Sequence, residues 1–250
     1  MKAIVLILIV LSVGCATTLD KDSDAYKSAE THLQLGVGYL KQGRLDDAMM
    51  NLQKALEAKS DFADVHTALA FVYERYAEVD KADYHYRRAI ELSPKEGGVY
   101  NNYGVFLCKK NKFKDAETYF KKALDMPRYK TPQTVYENAG ACAMQVPDLE
   151  QAEIYMRKAL TIDPKLPNAL YVMAEIMYKQ KRFMSTRAYL QRLEDRAPLT
   201  AASLWLGILT ERELNAKDAE QHYAKLLQEN YPDSLEFKKL LEASQQGAVK

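Results

Sequence analysis

Histidine and cysteine are the residue types in this sequence that most often hold a metal or carry out catalysis. The four histidines are scattered, and none has ligand spacing to a cysteine or an acidic residue. They are His32, His66, His85 and His222. Neither a glycine-rich phosphate loop nor a nucleophile elbow occurs. The sequence therefore predicts no metal site, no cofactor and no catalytic residue, and we expect a protein that is not an enzyme.

A short acidic run near the N-terminus, Asp20, Asp22 and Asp24, has the alternating spacing with which a calcium-binding loop begins. Ala25 stands where such a loop needs glycine, and Thr31 stands where it needs the bidentate glutamate. We therefore interpret these carboxylates as part of a solvated, flexible tether.

The first fourteen residues have the pattern of a secretory signal peptide, with one lysine followed by eleven mostly aliphatic residues. This apolar run is too short to cross a bilayer as a helix, which needs about 20 residues. Gly14-Cys15 resembles the lipobox of bacterial lipoproteins, with Ser12 where leucine is usual. The resemblance implies a lipidated Cys15 at the mature N-terminus, and the following Ala16 implies sorting to the outer membrane. The alternative is an export signal cut near Ala16, which would leave Cys15 without a role.

The remaining composition is that of a folded, soluble protein without a charge bias. Of the 250 residues, 48% are hydrophobic and 28% are charged. Removing the signal peptide takes away Lys2, so that 35 basic residues become 34, against 34 acidic residues. A nucleic-acid-binding protein usually has a basic excess, so we expect no nucleic-acid partner.

One amphipathic pattern recurs along most of the chain. A small residue is followed after four positions by a bulky residue and after three more by another small residue, which places all three on one helix face. Clear examples are Ala48/Leu52/Ala55, Ala82/Tyr86/Ala89, Ala116/Phe120/Ala123 and Ala152/Met156/Ala159. The first position recurs at 48, 82, 116, 152, 186 and 219, at intervals of 34, 34, 36, 34 and 33 residues. Such a period indicates a repeat protein.

Each repeat also has a small residue in the helix-length segment before the pattern, such as Gly36, Gly104 or Gly207. The period and these positions resemble tetratricopeptide repeats. The resemblance implies an all-α superhelical solenoid of about six helix-turn-helix repeats with a C-terminal capping helix that covers the last repeat. The expected segments are a signal peptide (1–14), a lipidated cysteine and flexible tether (15–28), repeats at 29–62, 63–96, 97–130, 133–166, 167–199 and 200–232, and a capping helix with a frayed tail (233–250).

Cys108 and Cys142 lie at nearly the same height in the first helices of the third and fourth repeats. First helices of neighbouring repeats pack side by side, and an exported protein meets an oxidising compartment. We therefore expect a disulfide between them. The alternative is two buried free thiols, because cysteine is a common small core residue.

The first helices should line a concave groove, which suits an extended or helical segment of a partner protein. Asn102 and Asn138 occupy the place where chaperone-binding repeat proteins clamp a C-terminal carboxylate, but Asn101 and Glu137 leave that clamp incomplete. The two asparagines either contact a ligand or bridge neighbouring helices. The predicted groove residues are Leu33, Gln34, Val37, Thr67, Phe71, Asn101, Asn102, Val105, Glu137, Asn138, Ala141, Tyr171, Glu175, Tyr178 and Trp205.

A lipobox, a short tether and six such repeats together resemble the tetratricopeptide lipoproteins of type IV pilus biogenesis, the pilotins of the pilus secretin. The stretch NNYGVFLC, from Asn101 to Cys108, is the most similar. The resemblance implies a lipoprotein on the periplasmic face of the outer membrane that is monomeric by itself. It also implies binding to secretin subunits and promotion of their localisation and multimerisation. The alternative is a scaffold lipoprotein of another envelope assembly machine.

Overall fold

The structure is a computed structural model that describes residues 16–127, 129–146 and 148–247. Cys15 and the predicted signal peptide lie outside the described residues. The described residues form thirteen helices and no strand. The helices are α1 (Ala16–Lys41), α2 (Leu45–Ala58), α3 (Ala63–Arg75), α4 (Val79–Leu92), α5 (Gly97–Lys109), α6 (Phe113–Leu124), α7 (Pro132–Ala143), α8 (Leu149–Ile162), α9 (Pro167–Lys179), α10 (Phe183–Glu194), α11 (Ala201–Glu213), α12 (Lys217–Asn230) and α13 (Leu235–Gly247). None of these described helices is long and apolar enough to cross a membrane.

The first twelve helices form six helix pairs, and α13 follows the last pair. Connections of three residues join the two helices of five pairs, which makes these helices antiparallel neighbours. The pairs coincide with the six predicted repeats. The predicted all-α class, with six helix-turn-helix repeats and a final helix, is therefore confirmed.

The chain divides into two compact units, Met1–Tyr103 and Gly104–Lys250, and the boundary falls within α5. In the first unit, the buried core between α2 and α3 includes Leu52, Val65, Leu69 and Val72. In the second unit, a large buried cluster between α8 and α9 includes Met156, Leu170, Met173 and Ile176. Each unit therefore has a hydrophobic core built from the second helix of one repeat and the first helix of the next.

A small residue in the first helix of every repeat is followed sixteen positions later by a bulky residue in the second helix. At the four glycines among these positions, an added methyl group would lie only 2.7–2.9 Å from that bulky side chain. The glycines thus allow the closest approach of paired helices, and the bulky residue fills the space. The pairs are Gly36–Leu52, Ala70–Tyr86, Gly104–Phe120, Gly140–Met156, Ala174–Leu190 and Gly207–Tyr223.

The turn between paired helices has one residue in the left-handed conformation in five of the repeats. The amide of the next residue donates to the carbonyl five residues earlier, as from Arg44 to Tyr39 at 3.0 Å, which is the Schellman arrangement. This arrangement satisfies carbonyl groups that the end of a helix leaves without a partner. The left-handed residues, with φ between 56° and 75°, are Gly43, Ala77, Asn111, Lys181 and Asn215.

Cys108 of α5 and Cys142 of α7 form a disulfide, with their Cα atoms 5.9 Å apart. Both residues belong to the second unit, and each is almost completely buried. The bond joins the first helices of the third and fourth repeats. These repeats are the ones separated by the longer connection between α6 and α7, which spans residues 125–131.

Residues 16–28, predicted as a flexible tether, are instead the first half of α1, so this prediction is wrong. No glycine or proline interrupts the stretch, and Tyr26 and Ala29 continue the helical spacing of Leu33. Ala29 is fully buried, and the ring of Tyr26 stacks on Phe62 with 5.2 Å between centroids. These contacts stabilise the added turns of helix.

The C-terminal helix α13 ends later than the sequence predicts. The Oγ atom of Ser234 accepts a hydrogen bond from the amide of Phe237 at 3.1 Å, so Ser234 alone is the N-cap. The tail expected to fray remains helical as far as Gly247. Phe237 and Leu240 pack against the core of the sixth repeat, which explains why α13 acts as its cap.

Candidate partner-binding grooves

Three predicted groove residues of the first unit, Val37, Thr67 and Phe71, line one depression of about 310 Å³ between α1 and α3. Leu40 and Arg75 contribute to the same lining. Phe71 is 43% exposed, although burying an aromatic side chain usually stabilises a protein strongly. We call this depression the α1–α3 groove. It presents an apolar floor, and its lining includes two basic residues, Lys41 and Arg75.

A second depression, of about 420 Å³, lies beside the N-terminal part of α3, and Thr67 lines this one as well. The stacked rings of Tyr26 and Phe62 form part of its wall, and Asn102 of α5 lies across from them. Asn102 therefore lines a surface that a ligand could occupy, which agrees with the first of the two interpretations of this asparagine.

Asn101 is not a groove residue, because only 6% of it is exposed. Consecutive residues of a helix point about 100° apart, so Asn101 turns inward where Asn102 turns outward. Leu33 packs against the core beside Leu52 and Val65, whereas Gln34 is exposed on α1. The predicted groove therefore loses Asn101, which lies at the margin of the outward helix face.

In the second unit, the first helices α7 and α9 are linked by a hydrogen bond. The Nδ2 atom of Asn168 donates to Oε1 of Glu137 at 3.3 Å. Burial raises the pKa of Glu137, and the bond from Asn168 opposes this effect. A carboxylate at this position would repel the C-terminal carboxylate of a ligand. The neighbouring Val105, Asn138 and Ala141 are partly exposed.

Three aromatic residues, Tyr171, Tyr178 and Trp205, continue this surface across α9 and α11. Tyr171 and Tyr178 pack against the buried cluster of Ala174, Leu190 and Leu206, while Trp205 packs beside Leu204 and Ile208. All three remain partly exposed. We call the surface of Glu137, Tyr171, Glu175, Tyr178 and Trp205 the α7–α11 face.

The hydroxyl of Tyr171 donates to Oε1 of Glu175 one turn later, at 3.1 Å. Burial raises the pKa of Tyr171, and the carboxylates of Glu175 and Glu236 add to the effect. Burial also raises the pKa of Tyr178, with a contribution from Glu213. Carboxylates thus act on both tyrosines of the α7–α11 face, and Arg212 opposes the effect at Tyr178.

Comparison with known proteins relates this arrangement of helices to a family. Models of the tetratricopeptide repeat match residues 36–75 and 107–167. The chain is 32% identical to the type IV pilus assembly protein PilF of Pseudomonas aeruginosa over 240 residues, which cover 94% of this chain and 95% of PilF. The chain belongs to the PilF family of type IV pilus assembly proteins.

Solved structures of this family have the same fold. The structure of Pseudomonas aeruginosa PilF superposes with a TM-score of 0.78 and 30% identity, covering 88% of this chain and 99% of that one. The crystal structure of PilW, described as a widely conserved type IV pilus biogenesis factor, gives a TM-score of 0.78 with 27% identity and covers 85% and 98%. The predicted tetratricopeptide-repeat fold and the predicted pilus-biogenesis family are both confirmed.

This PilF-family chain has a further cavity that sequence reasoning missed. It has a volume of about 510 Å³ and lies between α6, α7 and α8 in the second unit. Its lining includes Phe113, Phe120, Val146 and Tyr155, and Cys142 brings the disulfide to its wall. The hydroxyl of Tyr155 donates to Glu117 at 3.3 Å. No local sequence signal indicates this cavity, because it depends on the spacing between three packed helices.

Tyr26, Leu40 and Phe62 of this PilF-family chain are three large apolar lining residues that are not among the predicted groove residues. A signal for the first two was present. Tyr26, Leu33 and Leu40 follow one another at intervals of seven residues, which places them on one side of a helix. Phe62 lies in the connection between α2 and α3, where helical spacing gives no information.

Proposed function

We propose that this protein is an outer-membrane lipoprotein of type IV pilus assembly that binds secretin subunits and promotes their localisation and multimerisation. The observation that carries the proposal is the similarity to PilF over nearly the full length of both chains. In this role the protein acts by binding and not as an enzyme. Its repeats supply the contact surfaces, and its N-terminus supplies the attachment to the membrane.

The α1–α3 groove is our candidate for the first contact with a secretin subunit. Its exposed Phe71 ring would be removed from water by a helical or extended segment laid between α1 and α3. Aromatic side chains of this kind frequently dominate the energy of protein interfaces. Asn102 and Thr67 in the adjoining depression would add polar contacts.

A lipid anchor on Cys15 would favour binding by concentrating the grooves at the membrane into which the secretin inserts. Tethering raises the effective concentration of a partner without any new contact. A single acyl chain holds a protein only weakly, so firm attachment requires the several chains of a bacterial lipoprotein.

The anchor is tested by labelling cells with radioactive fatty acid. We expect label in the wild-type protein and none in Cys15→Ser, which should leave the outer-membrane fraction. A wild-type protein that takes up no label would refute the lipoprotein assignment while leaving the binding role open.

The binding role is tested by deleting the gene from a strain that normally makes pili. We expect secretin multimers on immunoblots to disappear and to return with the wild-type gene. Phe71→Ala should restore them poorly, whereas Met50→Ala, which truncates a residue of similar exposure on α2, should restore them fully. Normal multimers in the deletion strain, together with co-purification of a different envelope protein, would instead favour a scaffold of another assembly machine.

A further inference from the structure

The second unit has a binding surface whose chemistry differs from that of the α1–α3 groove. We propose that the α7–α11 face binds an extended, positively charged segment of the partner, with lysine or arginine side chains placed on its tyrosine, tryptophan and glutamate residues. This inference rests on the proposed function, because it names the kind of partner segment that one surface of the protein accepts.

The charge distribution on α7 and α9 determines the sign of the ligand. Glu137 on α7 and Glu175 on α9 are partly exposed, and α7 has no basic residue. Lys179, the last residue of α9, is the only basic residue of that helix. A cationic segment would therefore meet carboxylates along both helices, and an anionic segment would be repelled.

The adjoining helices α11 and α13 carry charges of both signs. Glu236, near the start of α13, lies close enough to raise the pKa of Tyr171. Arg212 of α11 is the nearby basic residue, but its guanidinium is bound to Glu220 of α12 at 2.8 Å. That ion pair compensates its charge, whereas α13 also carries the exposed Lys238 and Lys239, so the negative charge of the face is centred on α7 and α9.

The aromatic residues of the face add short-range contacts to the long-range attraction of a cationic ligand. Tyr171, Tyr178 and Trp205 are anchored by packing on buried clusters, so their rings are held in place before a ligand arrives. An ammonium or guanidinium group over such a ring makes a cation–π contact. The methylene groups of the ligand's lysine or arginine side chains also cover the apolar surface of the ring. Pre-ordered rings reduce the entropy that binding must overcome.

The chain offers a direct reporter for this face, because Trp205 is its only tryptophan. Full-length protein is titrated with an end-blocked dodecapeptide of alternating lysine and serine, and Trp205 fluorescence is recorded. We expect a saturable change that weakens as salt is raised, since exposed charges are screened. The equivalent peptide of alternating glutamate and serine should produce no saturable change.

Two variants locate the binding. Glu137→Gln with Glu175→Gln keeps the shape of both side chains and one acceptor oxygen on each, for the bonds from Asn168 and Tyr171. The double variant should weaken binding of the lysine peptide about five- to tenfold. Glu242→Gln, which removes an exposed carboxylate from α13, should leave binding unchanged. Wild-type affinity in the double variant, or an equal response to the glutamate peptide, would overturn the inference.

The secretin assay separates this inference from the proposed function. If secretin multimers require the protein, but the double glutamine variant binds the lysine peptide normally, the inference fails alone. If multimers form without the protein, the proposed function fails, and the peptide titration still determines whether the face is cation-selective.

Discussion

The Nδ1 atoms of His66 and His85 lie 2.9 Å apart in the buried contact between α3 and α4. The Nε2 atom of His66 lies 3.1 Å from the carbonyl oxygen of Ser60. A carbonyl oxygen only accepts, so Nε2 of His66 carries a proton, and its Nδ1 accepts from Nδ1 of His85. Tyr73 stacks on His85, and Tyr84 meets it edge-on. Burial lowers the pKa of both imidazoles, so both are neutral near pH 7 in this arrangement.

The pKa values of the two histidines follow from this environment. Burial lowers the pKa of His85 to about 4, with a further contribution from His66. Burial also lowers the pKa of His66, and the charge of Arg88 adds to this effect, while the Ser60 carbonyl and Glu91 oppose it. A second proton between the two Nδ1 atoms would convert His66 to an imidazolium, remove the hydrogen bond and place a positive charge in the buried contact.

We predict that the protein loses stability in mild acid through this pair. Between pH 6.5 and 4 the unfolded histidines bind protons that the folded ones do not, so the free energy of unfolding should fall by about 2–3 kcal/mol across this range. Urea unfolding followed by circular dichroism measures it. His85→Gln should remove most of this pH-dependent fall in unfolding free energy. His222→Gln, at an exposed histidine, should retain it. An unchanged fall in His85→Gln would assign the acid sensitivity to other groups.

We predict a large cost for a single added methyl group at Gly104. The methyl of Gly104→Ala would lie 2.8 Å from two ring carbons of Phe120, and a buried ring cannot move aside. The expected loss is about 1–3 kcal/mol of unfolding free energy. Gly38→Ala in α1 meets no atom within 4 Å and should stabilise by about 0.5–1 kcal/mol through helix propensity. Equal effects at the two positions would show that helix approach does not require glycine.

A buried ion pair in the second unit provides another prediction. The Nε atom of Arg187 donates to Oε1 of Glu211 at 2.8 Å, and its Nη2 atom contacts the other carboxylate oxygen. Glu211 is 1% exposed, so Arg187→Met would leave an uncompensated buried carboxylate at a cost of about 3–5 kcal/mol. Arg187→Met with Glu211→Leu should recover most of this loss.

The matched control for the ion pair is an exposed one. Lys225 and Glu229 lie 3.8 Å apart with both side chains more than half exposed, so Lys225→Met should change the unfolding free energy by less than about 0.5 kcal/mol. A double-mutant cycle at Arg187 and Glu211 with no coupling would contradict the prediction.

The disulfide between Cys108 and Cys142 closes a loop with a sequence separation of 34 residues. In the chain-entropy description, such a loop restricts the unfolded state by about 3–4 kcal/mol. Replacing both cysteines by serine should lower the denaturation midpoint accordingly, and a reducing agent should have the same effect on the wild type only. Mass spectrometry of unreduced, alkylated protein checks the bond itself, and alkylation at both positions would refute it.

The helix pairs and their order could be predicted because the responsible interactions repeat locally. The spacing of Ala116, Phe120 and Ala123 places three residues on one helix face. Gly104 lies sixteen positions before Phe120, and every repeat has a small and a bulky residue at this spacing. Steric contact between these residues sets how closely two helices pack. A pattern that recurs six times therefore predicted the all-α class and the number of repeats.

The start of α1 depends on a contact that the repeat pattern does not contain. The repeat pattern begins after Ala29, so it does not predict that the acidic stretch before Ala29 is helical. Its helical state depends on Tyr26 reaching Phe62, a residue 36 positions away in a connection without periodicity. Only the packed structure brings these two rings together.

By itself, the sequence determined the repeat. It also predicted export, lipidation and a helix face for partner binding. The tertiary structure alone decided that Asn102 faces outward while Asn101 is buried, that His66 meets His85, and that Arg187 meets Glu211. The physical reason is that periodicity specifies the direction of each side chain around its own helix axis. Contacts between helices also depend on their offset and crossing angle, which arise only when the complete set of side chains packs together.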